Sequence, residues 1–478
     1  MSGLSDKNLI EIAVLVLLLI GSLNFIYTAA NLADYHYDLD YSEGFVIQDA
    51  GRLADSGNLY PEPDLSNGFQ SVKYPPAYYV AFDALEPILG GGYLNGRVLN
   101  LMSTFLALAA IAGIIREKTG DDNALPLLFL VPFLTIFTGS TIRVDMLSLA
   151  FSLSGIYMFL TDRTRIAAIL SVLALFTKQS FVAGAAAIGL ILFLDTDWDH
   201  LLELARGHKW KKLYYENRDL ADFGAVYAGS TLLLGGLILA IWPHFLDNIL
   251  YSNLGGFSVR VDLINWLTLT FLPLSGLGIY YLYVVRDRLL GIYFGISTAL
   301  MILQLLRGGA WVYSAIEPFA VLVIMTGILY SRIERFRPQI NAVILFQLLL
   351  FFAAPIVSGT VFDVHKMPAM NSQADRKLSE AVRSADGPVY VEDVGFEIGT
   401  GKKLSPETWG VYEQYSNGHI SRSELISYFQ TQNYSAILAH KRLYDLPLEN
   451  YISNRYSLSS EVVRYDLLLH KQHWRIYR

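Results

Sequence analysis

Between Leu9 and Ser358 the chain is a succession of apolar blocks close to the thickness of a lipid bilayer, and that spacing leaves few folds open. A hydrocarbon core about 30 Å thick is crossed by roughly 20 apolar residues in a helix. Blocks near that length lie at 9–29, 97–115, 124–139, 142–160, 165–194, 221–243, 263–285, 289–306, 311–330 and 338–358. With 53% hydrophobic and 17% charged residues among 478, the chain reads as a mainly α, polytopic membrane helix bundle. After Ser358 the composition turns polar and mixed, as in NSQADRKLSEAVRSADG, which puts a boundary at 359–370. We divide the chain into a membrane part, 1–360, with a first outer loop at about 30–96, and a soluble part, 361–478. A net charge of −7 with no basic stripe argues against a nucleic-acid partner. The absence of cysteine leaves the redox compartment open.

The fifth block, RIAAILSVLALFTKQSFVAGAAAIGLILFL, is too long for one span and carries Lys178 and Gln179 in its middle. A lysine at mid-bilayer costs about 3 kcal/mol on insertion scales, so two short helices meeting at TKQS are favoured over one long one. Charge asymmetry agrees. Split in this way, the block brings the total to eleven spans. The basic segments at 116–123, 161–165, 195–219, 286–288 and 331–337 then share one side, which the positive-inside rule makes cytoplasmic. The amino terminus is expected inside and the soluble part outside, with the first block an uncleaved anchor because it lacks a strongly basic start. The stretch HKWKKLYYENR reads as a cytoplasmic surface helix on anionic lipid.

The first outer loop opens with DYHYDLDYSEGF, four carboxylates in ten residues. Ser42 is expected to cap a short helix with Glu43 in its first turn, where the positive end of the helix dipole favours an acid, and Gly57 to stop it. Asp38 and Asp40 precede that helix. In SVKYPPAYYVAF, Pro76 suits the first turn of a helix running to about Leu89, too short to span. Its Tyr78, Tyr79, Phe82 and Leu85 beside Asp83 and Glu86 predict a helix lying in the headgroup region. Lys73 and Tyr74 are held just ahead of it.

Charges within the apolar blocks, namely Arg97, Arg143, Asp145, Lys178, Arg307 and Glu317, all fall towards the outer helix ends under this topology. A transporter for lipid-linked glycans is the alternative, and it would place its ionisable residues near the midplane. Carboxylates with cations at the outer boundary suit a different reaction. An acceptor hydroxyl attacks the anomeric carbon of a lipid-linked sugar phosphate, one carboxylate takes its proton, and fixed cations stabilise the departing phosphate. Asp38 and Asp40 also have the donor chemistry for a divalent cation, although a phosphate flanked by Lys178, Arg143 and Lys73 is neutralised without one. The partners expected are a lipid-linked donor, the membrane, and a lipid, glycan or protein acceptor.

These residues carry a resemblance. DLDYSEGFVIQDAGRLADSGNLY, then KYPPAYY and GRVLN, resembles the first outer loop of the integral-membrane GT-C glycosyltransferases, among them protein O-mannosyltransferase, lipid A aminoarabinose transferase and the glycosylphosphatidylinositol mannosyltransferases. TIRVDML, LALFTKQSF and GGAWVYSAIEPF resemble further segments of the family in the same order. The resemblance implies an inverting transfer from a polyprenyl- or dolichyl-phosphate sugar, of a hexosyl, mannosyl-like kind. It implies a base among Asp40, Glu43 and Asp38, and donor-phosphate contacts from Lys178, Arg143, Lys73 and Arg97. Tyr74, Asp145, Gln179 and Tyr313 would support them. Asp40 and Glu43 stand three apart, unlike the adjacent acids of the D-E form, so either fits the base.

In the soluble part, PVYVED, SRSELISYFQ, YSAILAHK and RYDLLLHKQHWRIYR alternate short strands with helices, predicting a small α/β domain in which Ser421 and Glu424 form a capping box. It shows no nucleophile, metal spacing or phosphate loop.

Overall fold

The computed structural model describes residues 9–64, 68, 70–131, 138–251, 261–306, 312–353, 364–402, 405–440, 443, 445–466 and 469–478. The division at residue 360, Arg307 and the first residues of GGAWVYSAIEPF lie outside the described residues.

The chain opens with α1 (Leu9–Ala33), followed by α2 (Tyr41–Ser56), α3 (Ala77–Leu89) and α4 (Tyr93–Thr119). A 3-10 segment at Leu125–Leu130 leads towards α5 (Asp145–Leu160). Then come α6 (Thr164–Thr177), α7 (Ala183–Asp195), α8 (Arg218–Ile241), α9 (Val261–Val285), α10 (Arg288–Leu305), α11 (Ile316–Arg332) and α12 (Arg337–Ala353). Among the described residues five helices, α1, α4, α8, α10 and the one ending at Arg332, are long and apolar enough to cross a membrane, and α5, α6, α7 and part of α9 are shorter apolar helices. Burial shows why the apolar residues outnumber what a core needs. On α1, Val14, Leu18, Phe25 and Leu32 are buried, while Val16, Leu19, Leu23 and Ile26 are about half exposed on the opposite face, a lipid-facing surface. In α11 every residue from Ile316 to Ser331 is buried, which makes it the centre of the bundle. Glycines let neighbouring helices close up, as membrane packing favours. A Cβ on Gly184 would stand 2.6 Å from Ser152 Oγ.

Polar contacts assign each helix end to one of two ends of the bundle. Lys118 pairs with Asp287 at 2.8 Å, Arg288 with Asp195 at 2.5 Å, Arg165 with Asp222 at 2.9 Å, and Ser331 donates to Asp121 at 2.9 Å. All five basic segments expected to share a side therefore gather at one end. The overlong block is broken as its lysine requires: α6 stops at Thr177, Lys178 takes extended backbone angles, and α7 starts at Ala183. Both outer ends of this pair, Thr164–Asp219 and Asp195–Arg288, sit at the basic end, so Lys178 is at the apex of a hairpin.

The opposite end carries the first loop. There α2 begins at Tyr41 with Asp40 in the N-cap position, and Ser42 lies inside the helix. The expected Ser42 cap is thus replaced: Ser42 Oγ instead donates to Asp40 Oδ2 at 2.6 Å. Gly57 ends the helix in the left-handed region at φ 67°. α3 turns its aromatic rings towards protein. Tyr78, Tyr79 and Phe82 are buried in the loop's own core, with Tyr78 donating to Asn100 at 2.7 Å and Tyr79 to Asp49 at 3.1 Å, and Val80 and Ile88 face outward. Aromatic rings with a polar tip fit a buried site when that tip finds a partner, and here each does.

The carboxyl-terminal unit covers this loop. It comprises α13 (Met367–Arg383), β1 (Val389–Val391), α14 (Thr408–Ser416), α15 (Arg422–Gln432), β2 (Ala436–Ala439), α16 (Glu449–Arg455), β3 (Leu458–Tyr465) and β4 (Lys471–Tyr477). The sheet order is β1-β2-β4-β3, with β1 parallel to β2 and the other pairs antiparallel. The capping box of Ser421 and Glu424 starts α15 as read from the sequence.

Candidate active site

Two charge clusters meet at the loop end, and they differ in how completely their hydrogen-bonding capacity is used. The first is Glu43 with Arg97. A guanidinium has five N–H donors and a carboxylate about four acceptor sites. Arg97 Nε and Nη2 donate to Glu43 at 3.0 and 2.8 Å, Nη1 also donates to the carbonyls of Leu32, at 2.7 Å, and Tyr35, and Nη2 to that of Tyr37 at 2.8 Å. Glu43 further accepts from the backbone N–H of Leu39 at 2.7 Å and of Ile142 at 2.8 Å. Every donor and acceptor of the pair is engaged, and the Glu43 side chain is 0% exposed. This pair ties α1, the loop, α4 and the start of α5 together.

The second cluster is a chain of alternating charge. Asp40 Oδ2 accepts from Arg143 Nη1 at 2.7 Å, Arg143 Nε donates to Asp145 Oδ2 at 3.2 Å, and Asp145 Oδ1 accepts from Lys178 Nζ at 2.5 Å. Asp145 is fully buried at the first turn of α5, and Lys178 reaches it from the hairpin apex. Tyr313 lies over both cations, with its ring centre 3.8 Å from the Arg143 guanidinium carbon and 4.9 Å from Lys178 Nζ. Tyr74 stands at 6.0 Å from the same ammonium. The Asp40 side chain remains 33% exposed. Gln179 Nε2 holds the carbonyl of Lys73 at 3.1 Å, while its Oε1 is buried without a partner.

Three further residues named from the sequence lie outside this chain. Asp38 is buried and faces the carboxyl-terminal unit: Oδ1 accepts from Tyr93 at 2.7 Å, its backbone carbonyl accepts from Arg464, and its carboxylate fills the space a side chain on Gly395 would need. Burial, with Asp393 and Glu43 close by, pushes its carboxyl well above the usual aspartate range. Glu397 in the same unit, buried and bonded only to Ser405, is pushed up to about 8. Lys73 Nζ contacts Glu407 at 3.0 Å and Glu413 at 3.9 Å. Glu317 is bonded to Ser152 at 2.8 Å and Tyr293 at 2.9 Å inside the bundle. Sequence reasoning missed Glu407, Glu413 and Asp393 altogether, and only their place in an apparently inert soluble part could have pointed to them.

Asp38 and Asp40 do not converge on one point. Asp38 turns to Tyr93 and Gly395, Asp40 to Arg143 and Ser42. Among the described residues no three His, Cys, Asp or Glu are grouped to hold a metal ion. A divalent cation held by Asp38 and Asp40 together, which the D-x-D spacing allows, does not fit this geometry.

No protein-family model matches the sequence, and no curated protein is similar to it. Solved structures are similar in fold. ArnT from Cupriavidus metallidurans matches in the apo state with a TM-score of 0.62 at 12% identity, over 97% of each chain. The same protein bound to undecaprenyl phosphate matches with a TM-score of 0.60, also at 12% identity over 97% of each. The oligosaccharyltransferase of Archaeoglobus fulgidus, tethered to an acceptor peptide, matches with a TM-score of 0.51 at 13% identity, over 96% of this chain and 74% of its own. A bundle of this helix order, a first loop folded over its end and a small α/β unit above the loop together give this chain the overall fold of ArnT and of the archaeal oligosaccharyltransferase.

Proposed function

We propose that the chain is an inverting glycosyltransferase that moves a sugar from a polyprenyl-phosphate donor to an acceptor hydroxyl at the outer face of the membrane. The observation that carries this reading is the open chain Asp40–Arg143–Asp145–Lys178 at the hairpin apex of a GT-C fold. The basic end would face the cytoplasm by the positive-inside rule, and the loop with its cover, residues 361–478, the outside.

In this reading Arg143 and Lys178 bind the donor phosphate, with Asp145 holding both cations and Tyr313 fixing their separation. Asp40 accepts the acceptor's proton as the acceptor oxygen bonds to the anomeric carbon. The bond from that carbon to the phosphate oxygen breaks on the opposite face, inverting the centre and releasing polyprenyl phosphate. Asp40 is preferred over Glu43 because it keeps an exposed side, whereas each Glu43 oxygen already accepts two hydrogen bonds. Arg97 is occupied in the same pair and serves the loop instead of the phosphate. The D-L-D-Y form of the loop supports a hexosyl, mannosyl-like donor. Undecaprenyl phosphate, the lipid bound in ArnT, is the carrier class we assign to the donor.

The test is the purified full chain in vesicles with radiolabelled dolichyl- and undecaprenyl-phosphate hexoses and pentoses and an outer-face acceptor extract. Glycoside formation that is lost in Asp40→Asn supports the reading. Donor crossing the bilayer without glycoside formation would favour a transporter.

A further inference from the structure

Lys73 is a cation of the first loop, yet one ammonium here faces two carboxylates of the carboxyl-terminal unit, Glu407 at the N-cap of α14 and Glu413 within it. A phosphate approaching it would meet an excess of negative charge. Glu407 does more than pair with it. Its Oε2 accepts from Gly410 N–H at 2.9 Å and caps α14, while Oε1 accepts from Tyr41 O–H at 2.6 Å and from Lys73 at 3.0 Å. Tyr41 in turn accepts from Trp409 N–H at 2.7 Å. Glutamate is not among the favoured N-cap residues, which are Ser, Thr, Asp and Asn. Its extra methylene is what lets one oxygen cap while the other reaches the loop.

Both loop contacts lead into the charge chain. Tyr41 follows Asp40 directly and starts α2, so holding its phenol fixes the N-cap where Asp40 sits. Lys73 is joined through its carbonyl to Gln179, the neighbour of Lys178. We propose that Glu407 is a positioning residue for the transfer reaction, through which the carboxyl-terminal unit sets the distance between the base Asp40 and the phosphate site at Lys178. The proposal rests on the reading of the active site given above. A misplacement of about 1 Å in a reacting pair costs on the order of a hundredfold in rate.

Glu407→Gln keeps the shape and the cap but removes the negative charge that faces Lys73. Glu407→Asp keeps the charge and restores a favoured cap but withdraws the carboxylate from Tyr41 and Lys73. Both are measured in the full chain with whichever donor the wild type turns over. Thermal midpoint and the Kd for undecaprenyl phosphate are followed alongside. We expect kcat to fall about ten- to a hundredfold in each, with the midpoint within a few degrees and Kd within about twofold of wild type. Wild-type kcat in Glu407→Asp would overturn the proposal, because a residue needed only as a cap is fully replaced by aspartate; this variant also decides the matter should Glu407→Gln not fold. Wild-type turnover in Asp40→Asn is the distinct result that would sink the active-site reading itself.

Discussion

Glu43–Arg97 and Asp40–Arg143 are both acid–arginine pairs, both made by one twelve-residue stretch of the loop with arginines from the bundle, and they do opposite things. In the first, every donor and acceptor is engaged inside the protein and water is excluded. In the second the acid is one-third exposed, and its arginine shares a further acid with a lysine. A saturated buried pair has no capacity left for a substrate. An open one can exchange a partner for a phosphate or a hydroxyl at small cost. The difference teaches that charge count around a loop does not identify a base; the number of unfilled hydrogen-bond positions does.

The sharpest way to break this contrast is Arg97→Ala. It leaves Glu43 as an uncompensated buried charge, and losing one partner of such a pair costs about 3–5 kcal/mol. We expect the variant to fail to accumulate as folded protein, read by size-exclusion profile and thermal midpoint. Asp40→Asn comes next and separates the two pairs by kind. Its amide oxygen still accepts from Arg143, so the midpoint should hold while transfer falls at least about a hundredfold, the range of general-base catalysis. Third, Lys178→Met should weaken undecaprenyl phosphate binding about ten- to a hundredfold with the fold retained, since a hydrogen bond to a charged group contributes about 1.5–3 kcal/mol.

The smallest effect concerns pH. Asp38 and Glu397 have folded-state values raised above those of the unfolded chain, so the protein binds more protons folded than unfolded. Their stabilisation is full below about pH 4, the ordinary carboxyl value, and is lost as pH rises, for Glu397 through about 8. Thermal midpoints should decline between pH 5 and 9, and Asp38→Asn or Glu397→Gln should flatten that decline by a few degrees. Asp38→Asn should also keep its transfer activity, because Asp38 faces Gly395 and Tyr93, away from Arg143.

Much of this architecture was legible in the sequence because hydropathy and charge are local signals. The break at Lys178 followed from the cost of a lysine in lipid, and the two-ended arrangement from where lysine and arginine cluster. The membership of each pair was not legible. Arg97 meets Glu43 across 54 residues, and Lys73 meets Glu407 across 334, distances over which no spacing rule speaks. Arg97 and Lys73 were therefore read as phosphate cations, although each is already engaged by carboxylates. The partners of the α3 tyrosines were illegible for a related reason: an amphipathic ring looks the same from sequence whether its hydroxyl finds water or Asp49 and Asn100.

An experimental structure of the full chain with undecaprenyl phosphate in a lipid nanodisc tests the central claim most directly. The account predicts phosphate oxygens within hydrogen-bonding reach of Lys178 Nζ and the Arg143 guanidinium, with the Asp40 carboxylate facing the same space and Glu43–Arg97 unchanged. Phosphate seated on Arg97 or Lys73, or at the basic end of the bundle, would contradict it.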